Sequence, residues 1–407
     1  MKTMTKLYSH QEKAIDKMKN GCILCGDVGT GKSRTAIAYF ILRVCASTSL
    51  NADPIKGLRA PKDLYIITTA KKRDSYDWFK ELSEFNLYSE SENNPNKIKI
   101  VVDSWNNIKK YVKIYNAFFI FDEQRVVGYG SWTKSFLNIT RKNEWILLSA
   151  TPGDVWTDYI PVFIANGFYR NKSEFITRHV IYDRFAKYPK IDRYTDTEIL
   201  IKHRNDILVT MDYERRTIRH RINCFCEYDK ELYFKVLKDR WDPYDNKPIE
   251  ETGKLLYLMR KVVNSDPTRI NKTCELVSKY DKAIIFYNFT YELNELREML
   301  TSIGKPFSEW NGEKHNDILD IDSWVYLVQY TAGSEGWNCV DTNVIIFYSL
   351  NYSYRMTMQA EGRIDRLNTK YKDLYFYYIK SRSTIDIAIS RALSNKKNFN
   401  ERTFLGK

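Results

Sequence analysis

No run of about eighteen or more apolar residues occurs in the 407-residue sequence, so no segment reads as a membrane-spanning helix. The opening MKTMTKLYSHQEK has no apolar core of the kind a secretory leader needs. A chain that stays in the cytosol, with no membrane partner, is the expectation. No period of 20 to 50 residues repeats, and no long low-complexity tract appears. Acid is in deficit: 51 Asp and Glu stand against 64 Lys and Arg, a net charge of +13. That balance favours polyanions, of which nucleic acid is the commonest. Cysteines number seven, an odd count that does not suggest a disulfide framework in a cytosolic chain. Cys22 and Cys25 form a C-x-x-C, yet residues three apart on an extended strand point to opposite faces and share no metal. Buried free thiols are the better account.

Hydrophobic residues make up 43% of the chain, enough for sizeable cores, and the length suits roughly two or three domains. Short apolar, β-branched and aromatic runs fall at 22–25, 64–69, 98–102, 117–121 and 145–148, and again at 283–287, 324–329, 343–348 and 374–379. Such runs fit parallel strands buried on both faces. Helical patterns separate them, at 11–19, 35–44, 75–84, 291–301 and 384–393. The alternation occurs twice, which predicts two α/β domains with parallel sheets. The stretch 167–260 is charged, rich in Tyr and Arg, and reads as mostly helical or irregular. Within it DRWDPYDNKP (239–248) carries two prolines and reads as a loop. The expected division is 1–166, a middle segment 167–260, and 261–407.

GDVGTGKS (26–33) sits between an apolar run and a helical pattern. That is the strand–loop–helix setting of a phosphate-binding loop. Gly26, Gly29, Thr30 and Gly31 would let backbone N–H groups converge on an anion at a helix N-terminus. Lys32 would reach the β- and γ-phosphates of ATP, and the Ser33 hydroxyl would bind Mg²⁺. The fourth run ends in FFIFDEQR (118–125), where a second acidic group belongs at a strand end. Asp122 would hold Mg²⁺ and Glu123 would polarise the attacking water. The fifth run ends in LLSATP (147–152), with Ser149 and Thr151 as small hydroxyl donors.

The order GDVGTGKS, DEQR, SATP resembles the superfamily 2 helicases and translocases. TAGSEGWN (331–338) and QAEGRIDR (359–366) extend the resemblance, the latter matching the family's Q-x-x-G-R-x-x-R. LYSHQEKAI, EWNGEKH (309–315) and RSTIDIAI (382–389) are most similar to the Swi/Snf-type branch. The resemblance spans about 7–393 and is thin between 167 and 260. It implies two tandem RecA-like domains joined by the middle segment, with ATP and Mg²⁺ as cofactors. It implies that Gln11 reads adenine beside His10 or Tyr8, that Gln359 joins the nucleotide site, and that Arg363 and Arg366 touch the γ-phosphate. It also implies backbone contacts to nucleic acid from Lys71, Lys72 and Arg73, then Ser104 and Thr331, without sequence preference. Trp105 fits core or stacking wedge equally well. TMDYERRTIRHR (210–221) fits a second DNA-contacting surface or a linker packed on the second domain.

Two features depart from the branch: Arg125 in the fourth place of DEQR, and Trp337 where Leu is usual. The minimal length and the Lys-, Asn-, Ile- and Tyr-rich composition look like bacteriophage helicases, which would place the protein in a host cytoplasm. The expected partner is DNA, single-stranded, duplex or forked, handled by a monomer, with replication or recombination proteins as further partners. The alternative is a duplex-tracking motor subunit that serves a partner complex without separating strands. A P-loop kinase or GTPase would lack the arginine pair of QAEGRIDR. A module with a vestigial ATPase would lack catalytic residues that are all present.

Overall fold

The computed structural model describes residues 6–27, 29–50, 58–88, 98–123, 130–150, 152–153, 155–184, 188–213, 216–333, 339–399 and 404. The chain divides into two compact units, Met1–Glu214 and Arg215–Lys407.

The first unit is built on strands β1 (Ile23–Cys25), β2 (Leu64–Thr68), β3 (Ile100–Ser104), β4 (Phe118–Asp122) and β5 (Glu144–Ser149). An antiparallel hairpin, β6 (Val180–Tyr182) with β7 (Ile191–Tyr194), and β8 (Leu208–Thr210) follow. The six-stranded sheet runs β3-β2-β4-β5-β1-β8, and every neighbouring pair is parallel. Alternation explains how each apolar run is buried on both sides. Leu24, Leu64, Ile66, Phe118, Ile120, Ile146 and Leu148 feed one core. Their neighbours Ile23, Tyr65, Ile67, Phe119, Phe121, Trp145 and Leu147 feed the other. Successive side chains point to opposite faces, so a strand roofed by helices above and below must be apolar throughout.

The second unit repeats the design. Its strands are β9 (Ile218–Cys226), a two-residue ladder of β10 (Trp241–Asp242) with β11 (Lys247–Pro248), β12 (Lys282–Tyr287), β13 (Phe307–Trp310), β14 (Trp324–Gln329), β15 (Val344–Phe347) and β16 (Asp373–Ser381). The sheet order is β13-β14-β12-β15-β16-β9, again parallel throughout. Ala283, Ile285 and Tyr287 enter one core, and Ile284 and Phe286 the other. A further core gathers the helices Lys230–Asp239, Thr252–Asn264 and Thr384–Ser394 around Met259, Leu255 and Ile389. The expected class, α/β with two parallel sheets, is the class observed.

The stretch 167–260 differs from the expectation of one middle segment. Its first part belongs to the first unit and supplies β8, which lies beside β1 in register Leu24↔Val209. Its later part belongs to the second unit and supplies β9, paired along nine residues with β16. β8 is three residues long, and β9 (IRHRINCFC) mixes basic, polar and apolar residues with most of its length exposed, as an edge strand allows. Neither reads as a buried apolar run. The helix expected at 75–84 is observed as Asp77–Glu84, and a further short helix, Ala70–Asp74, precedes it across Tyr76 at φ 59°.

Candidate functional site

The phosphate loop leaves β1 and enters the helix Lys32–Tyr39. Gly29 and Gly31 have φ 88° and 81°, the left-handed region where a side chain would be strained. A Cβ on Gly26 would lie 2.7 Å from Thr30 Oγ1, so the turn is closed too tightly for any larger residue there. Thr30 Oγ1 donates to Asp27 O at 2.9 Å, and Thr35 Oγ1 donates to Gly31 O at 3.0 Å. Lys32 Nζ donates to Gly26 O at 2.6 Å and Asp27 O at 2.9 Å, across the mouth of the loop. Burial pulls the Lys32 ammonium down to about 8, against the opposing pull of Glu123. Ser33 lies in the first turn of the helix.

Gln11 is fully buried on the helix Ser9–Lys17. Its Oε1 accepts from Tyr8 N at 3.0 Å, and its Nε2 lies 3.4 Å from Thr30 O. His10 Nε2 meets the same carbonyl at 3.0 Å, and its ring lies 4.8 Å from that of Tyr213. The pair thus props the phosphate loop from below, a role the sequence reading did not assign them.

β5 separates β1 from β4, so the strand bearing Asp122 is two places from the strand feeding the loop. Asp122 is buried, and three donors converge on its Oδ2: Thr68 Oγ1 at 2.8 Å, Trp78 Nε1 at 3.0 Å and Lys72 Nζ at 2.7 Å. Oδ1 takes none of these bonds. Burial alone would raise the Asp122 carboxyl, but Lys72 and the two hydrogen bonds outweigh it and hold it below the usual range. Glu123 ends the strand at φ 61°. A non-glycine residue in that region costs about 1–3 kcal/mol, and such strain gathers at functional sites.

The residues expected to touch nucleic acid are placed unevenly. Lys72 reaches into the candidate site to pair with Asp122, not outward. Nothing in the spacing of AKKR distinguishes that role from a phosphate contact. Arg73 binds Asp74 at 2.7 Å and Asp103 at 3.3 Å, with its Nη1 also 3.5 Å from Ser104 Oγ. Ser104 is buried, 2% exposed. Trp105 is core: it is buried, packs near Phe121 and donates its indole N–H to Asp122 O at 3.0 Å. Lys71 shares the short helix Ala70–Asp74. Thr331 is exposed, in the second unit.

In the second unit Gln359 and Glu361 lie on the helix Tyr354–Glu361, and Arg363 and Arg366 in the turns that follow. Gln359 and Arg363 are buried, and Arg366 is half-buried. The Arg363 carbonyl accepts from Cys339 N at 3.0 Å. Thr151, Gln124, Arg125 and 334–338, which complete SATP, DEQR and TAGSEGWN, lie outside the described residues.

A left-handed glycine turn with a lysine across its mouth, followed by a helix N-terminus and faced by a buried carboxylate with one oxygen free of partners among the described residues, suits a nucleoside triphosphate with a divalent cation. Comparisons with known proteins bear on which enzymes use such a set. No protein-family model matches the chain. It is similar to "Transcription termination factor 2" of Drosophila melanogaster, 30% identical over 32% of this chain and 13% of that protein. It is similar to the SWI/SNF-related regulator of chromatin, subfamily A containing DEAD/H box 1 homolog, of Caenorhabditis elegans, 29% identical over 30% of this chain and 13% of that protein. A solved "Sulfolobus solfataricus SWI2/SNF2 ATPase core in complex with dsDNA" aligns over 99% of this chain and 93% of that one, with TM-score 0.43 and 16% identity. The chain therefore has Swi2/Snf2-type ATPases among its similar proteins, and spans about an eighth of the length of those two curated relatives.

Proposed function

We propose that the protein is a nucleic-acid-stimulated ATPase that moves along DNA without reading its sequence. The observation that carries this reading is the convergence of Lys32, Asp122 and Glu123 beyond the strand ends of one sheet, on a chain whose second unit, built on a second parallel sheet, carries QAEGRIDR on a helix and the turn after it. The similarity to Swi2/Snf2-type ATPases and the net charge of +13 support the choice of DNA as the track.

When bound, Mg²⁺-ATP supplies the phosphoryl group whose transfer to water releases the energy for movement. Backbone N–H groups of Gly29 to Lys32 bind the phosphates, and Lys32 turns from its loop carbonyls to neutralise them. Ser33 and Asp122 would hold the cation. Glu123 orients the attacking water and accepts its proton. Arg363 and Arg366 stabilise charge on the phosphoryl oxygens during turnover, a contribution worth about 10³–10⁵ in rate where arginines do this elsewhere. Lys71 and Thr331 contact the DNA backbone, so binding weakens steeply with salt.

ATP turnover measured without nucleic acid and with single-stranded, duplex and forked DNA tests this. Stimulation by DNA is expected, and equal turnover in all four conditions overturns the reading. Triplex displacement measured beside fork unwinding then separates duplex tracking, the property of a motor subunit, from helicase action.

A further inference from the structure

Glu361 and Asp365 lie within QAEGRIDR, on either side of Arg363, and both are buried, 1% and 7% exposed. A buried carboxylate must be paired or it destabilises the fold strongly. Their partners come from a stretch of sequence some 140 residues earlier. Arg219 on β9 places its Nη1 3.1 Å from Glu361 Oε2 and its Nε 2.7 Å from Asp365 Oδ2, with Nη2 also on Asp365. Arg221, two residues on and so on the same face of the strand, grips Glu361 with Nε and Nη2, both at 2.7 Å. Thr217 Oγ1 donates to Asp365 Oδ1 at 2.8 Å, and the Tyr378 hydroxyl donates to Glu361 Oε1. His220, between the two arginines, faces the other way: its ring stacks 5.0 Å from Tyr375, and its Nε2 meets Asp373 at 2.7 Å.

We infer that Arg219 is a positioning residue for the turn that carries Arg363 and Arg366. One guanidinium spans the acid that ends the helix and the acid that follows the turn, and so fixes both ends of the five-residue stretch 361–365 with Arg363 at its centre and Arg366 next to its end. A planar fork with donors on three nitrogens can bridge two carboxylates at once, whereas a lysine ammonium is a point charge on a flexible stem. Arg219 is itself only 12% exposed and lies over Phe376 at 5.9 Å, so its own position is fixed by the sheet. β9 begins three residues after the second unit begins. The first strand of that unit is thereby tied to the arginine turn rather than to solvent. Of the stretch TMDYERRTIRHR, Arg219 is largely buried against the two acids, and Arg221 reaches Glu361 from a half-exposed position.

The inference rests on the reading that Arg363 and Arg366 serve ATP hydrolysis, and the test keeps the two apart. Arg219→Lys is compared with wild type for turnover with saturating DNA, for affinity toward a non-hydrolysable ATP analogue, and for affinity toward ADP with vanadate, which mimics the transferring phosphoryl group. Misplacement of a reacting group by about 1 Å can cost on the order of a hundredfold. The expected result is a kcat lower by roughly ten- to a hundredfold, an equal loss of ADP–vanadate affinity, and an unchanged KM for ATP and analogue affinity. Thr217→Val, a milder change to the same clamp, is expected to move the same quantities by about two- to threefold. His220→Ala, on the opposite face, is expected to leave them unchanged.

Wild-type turnover in Arg219→Lys overturns the inference. So does a loss that appears equally in His220→Ala, because it would report the strand and not the clamp. If Arg366→Ala keeps full turnover and ADP–vanadate affinity, the role of the arginines falls and takes the inference with it. If Arg366→Ala loses both while Arg219→Lys and Thr217→Val lose neither, only the inference falls.

Discussion

Asp122, at the end of a strand in the first unit, and Glu361, at the end of a helix in the second, are both almost wholly buried acids, yet they are held in different ways. Asp122 takes an indole N–H, a hydroxyl and one ammonium, all on a single oxygen, and its other oxygen has no partner among the described residues. Glu361 has both oxygens filled by guanidinium forks and a tyrosine hydroxyl. The difference matches the roles proposed for them. A carboxylate that must exchange partners during a reaction is better held by single-point donors, one of which is a lysine ammonium. A carboxylate that must never move is better held by bidentate arginines, whose geometry admits one arrangement.

The largest effect expected is on the lysine of the phosphate loop. Lys32→Ala is predicted to abolish DNA-stimulated turnover, to below about a hundredth of wild type, since it removes the charge on the phosphates. A phosphate-release assay with saturating duplex DNA reads it, and activity above a tenth of wild type counts against the site. Next comes the arginine turn of the other unit: Arg366→Ala should lower kcat by roughly 10³-fold while analogue binding stays within about twofold. If analogue binding falls as far as kcat, the arginine binds ground state and transition state alike.

A smaller change sharpens the contrast between exchangeable and fixed acids. Trp78→Phe deletes one of the three donors on Asp122 with little change of shape. It should destabilise the protein by about 1.5–3 kcal/mol, the usual worth of a buried hydrogen bond to a charge, and weaken Mg²⁺-dependent nucleotide binding. Urea unfolding and titration with a fluorescent nucleotide measure the two, and a variant unchanged in both would show that Lys72 and Thr68 suffice.

The mildest effect lies at Asp242, in the turn of DRWDPYDNKP. Burial raises its carboxyl, but Lys254 at 2.6 Å and the backbone N–H groups of Tyr244 and Asp245 overcome this and bring it down to about 2. Because the folded value lies below the unfolded one, its stabilisation is full above about pH 4 and is lost as pH falls through about 2. Asp242→Asn should flatten the stability profile between those values, and an equal change in unfolding free energy between pH 2.5 and 5 for wild type and variant, measured by urea titration, would refute the pairing.

The nine apolar runs were legible because a strand buried on both faces must be apolar at every position, and each of them became a sheet strand with ends within two residues. The phosphate loop was legible because its glycines are demanded by φ near +80°, a requirement written in residue type. β8 and β9 were not: an edge strand needs apolar residues on one face at most, so the mixed IRHRINCFC reads as a charged loop. Lys72 illustrates a different limit. A lysine four residues beyond a strand can turn toward a carboxylate or toward solvent, and only the position of Trp78 and Thr68 around Asp122 decides between them.

The order of residues by itself determined that there are two parallel sheets, which strand ends carry the loop lysine and the acid pair, and which motif bears the arginines. Hydrophobic periodicity and glycine conformation are local properties, and local properties survive being read one window at a time. Only the tertiary structure decided which unit each half of the middle stretch joins, that Gln11 and His10 prop the loop, and that Arg219 and Arg221 grip the acids of a motif about 140 residues away. Charge pairing is set by which chains the sheet brings within about 3 Å, and a sheet edge can bring together any two segments of the chain.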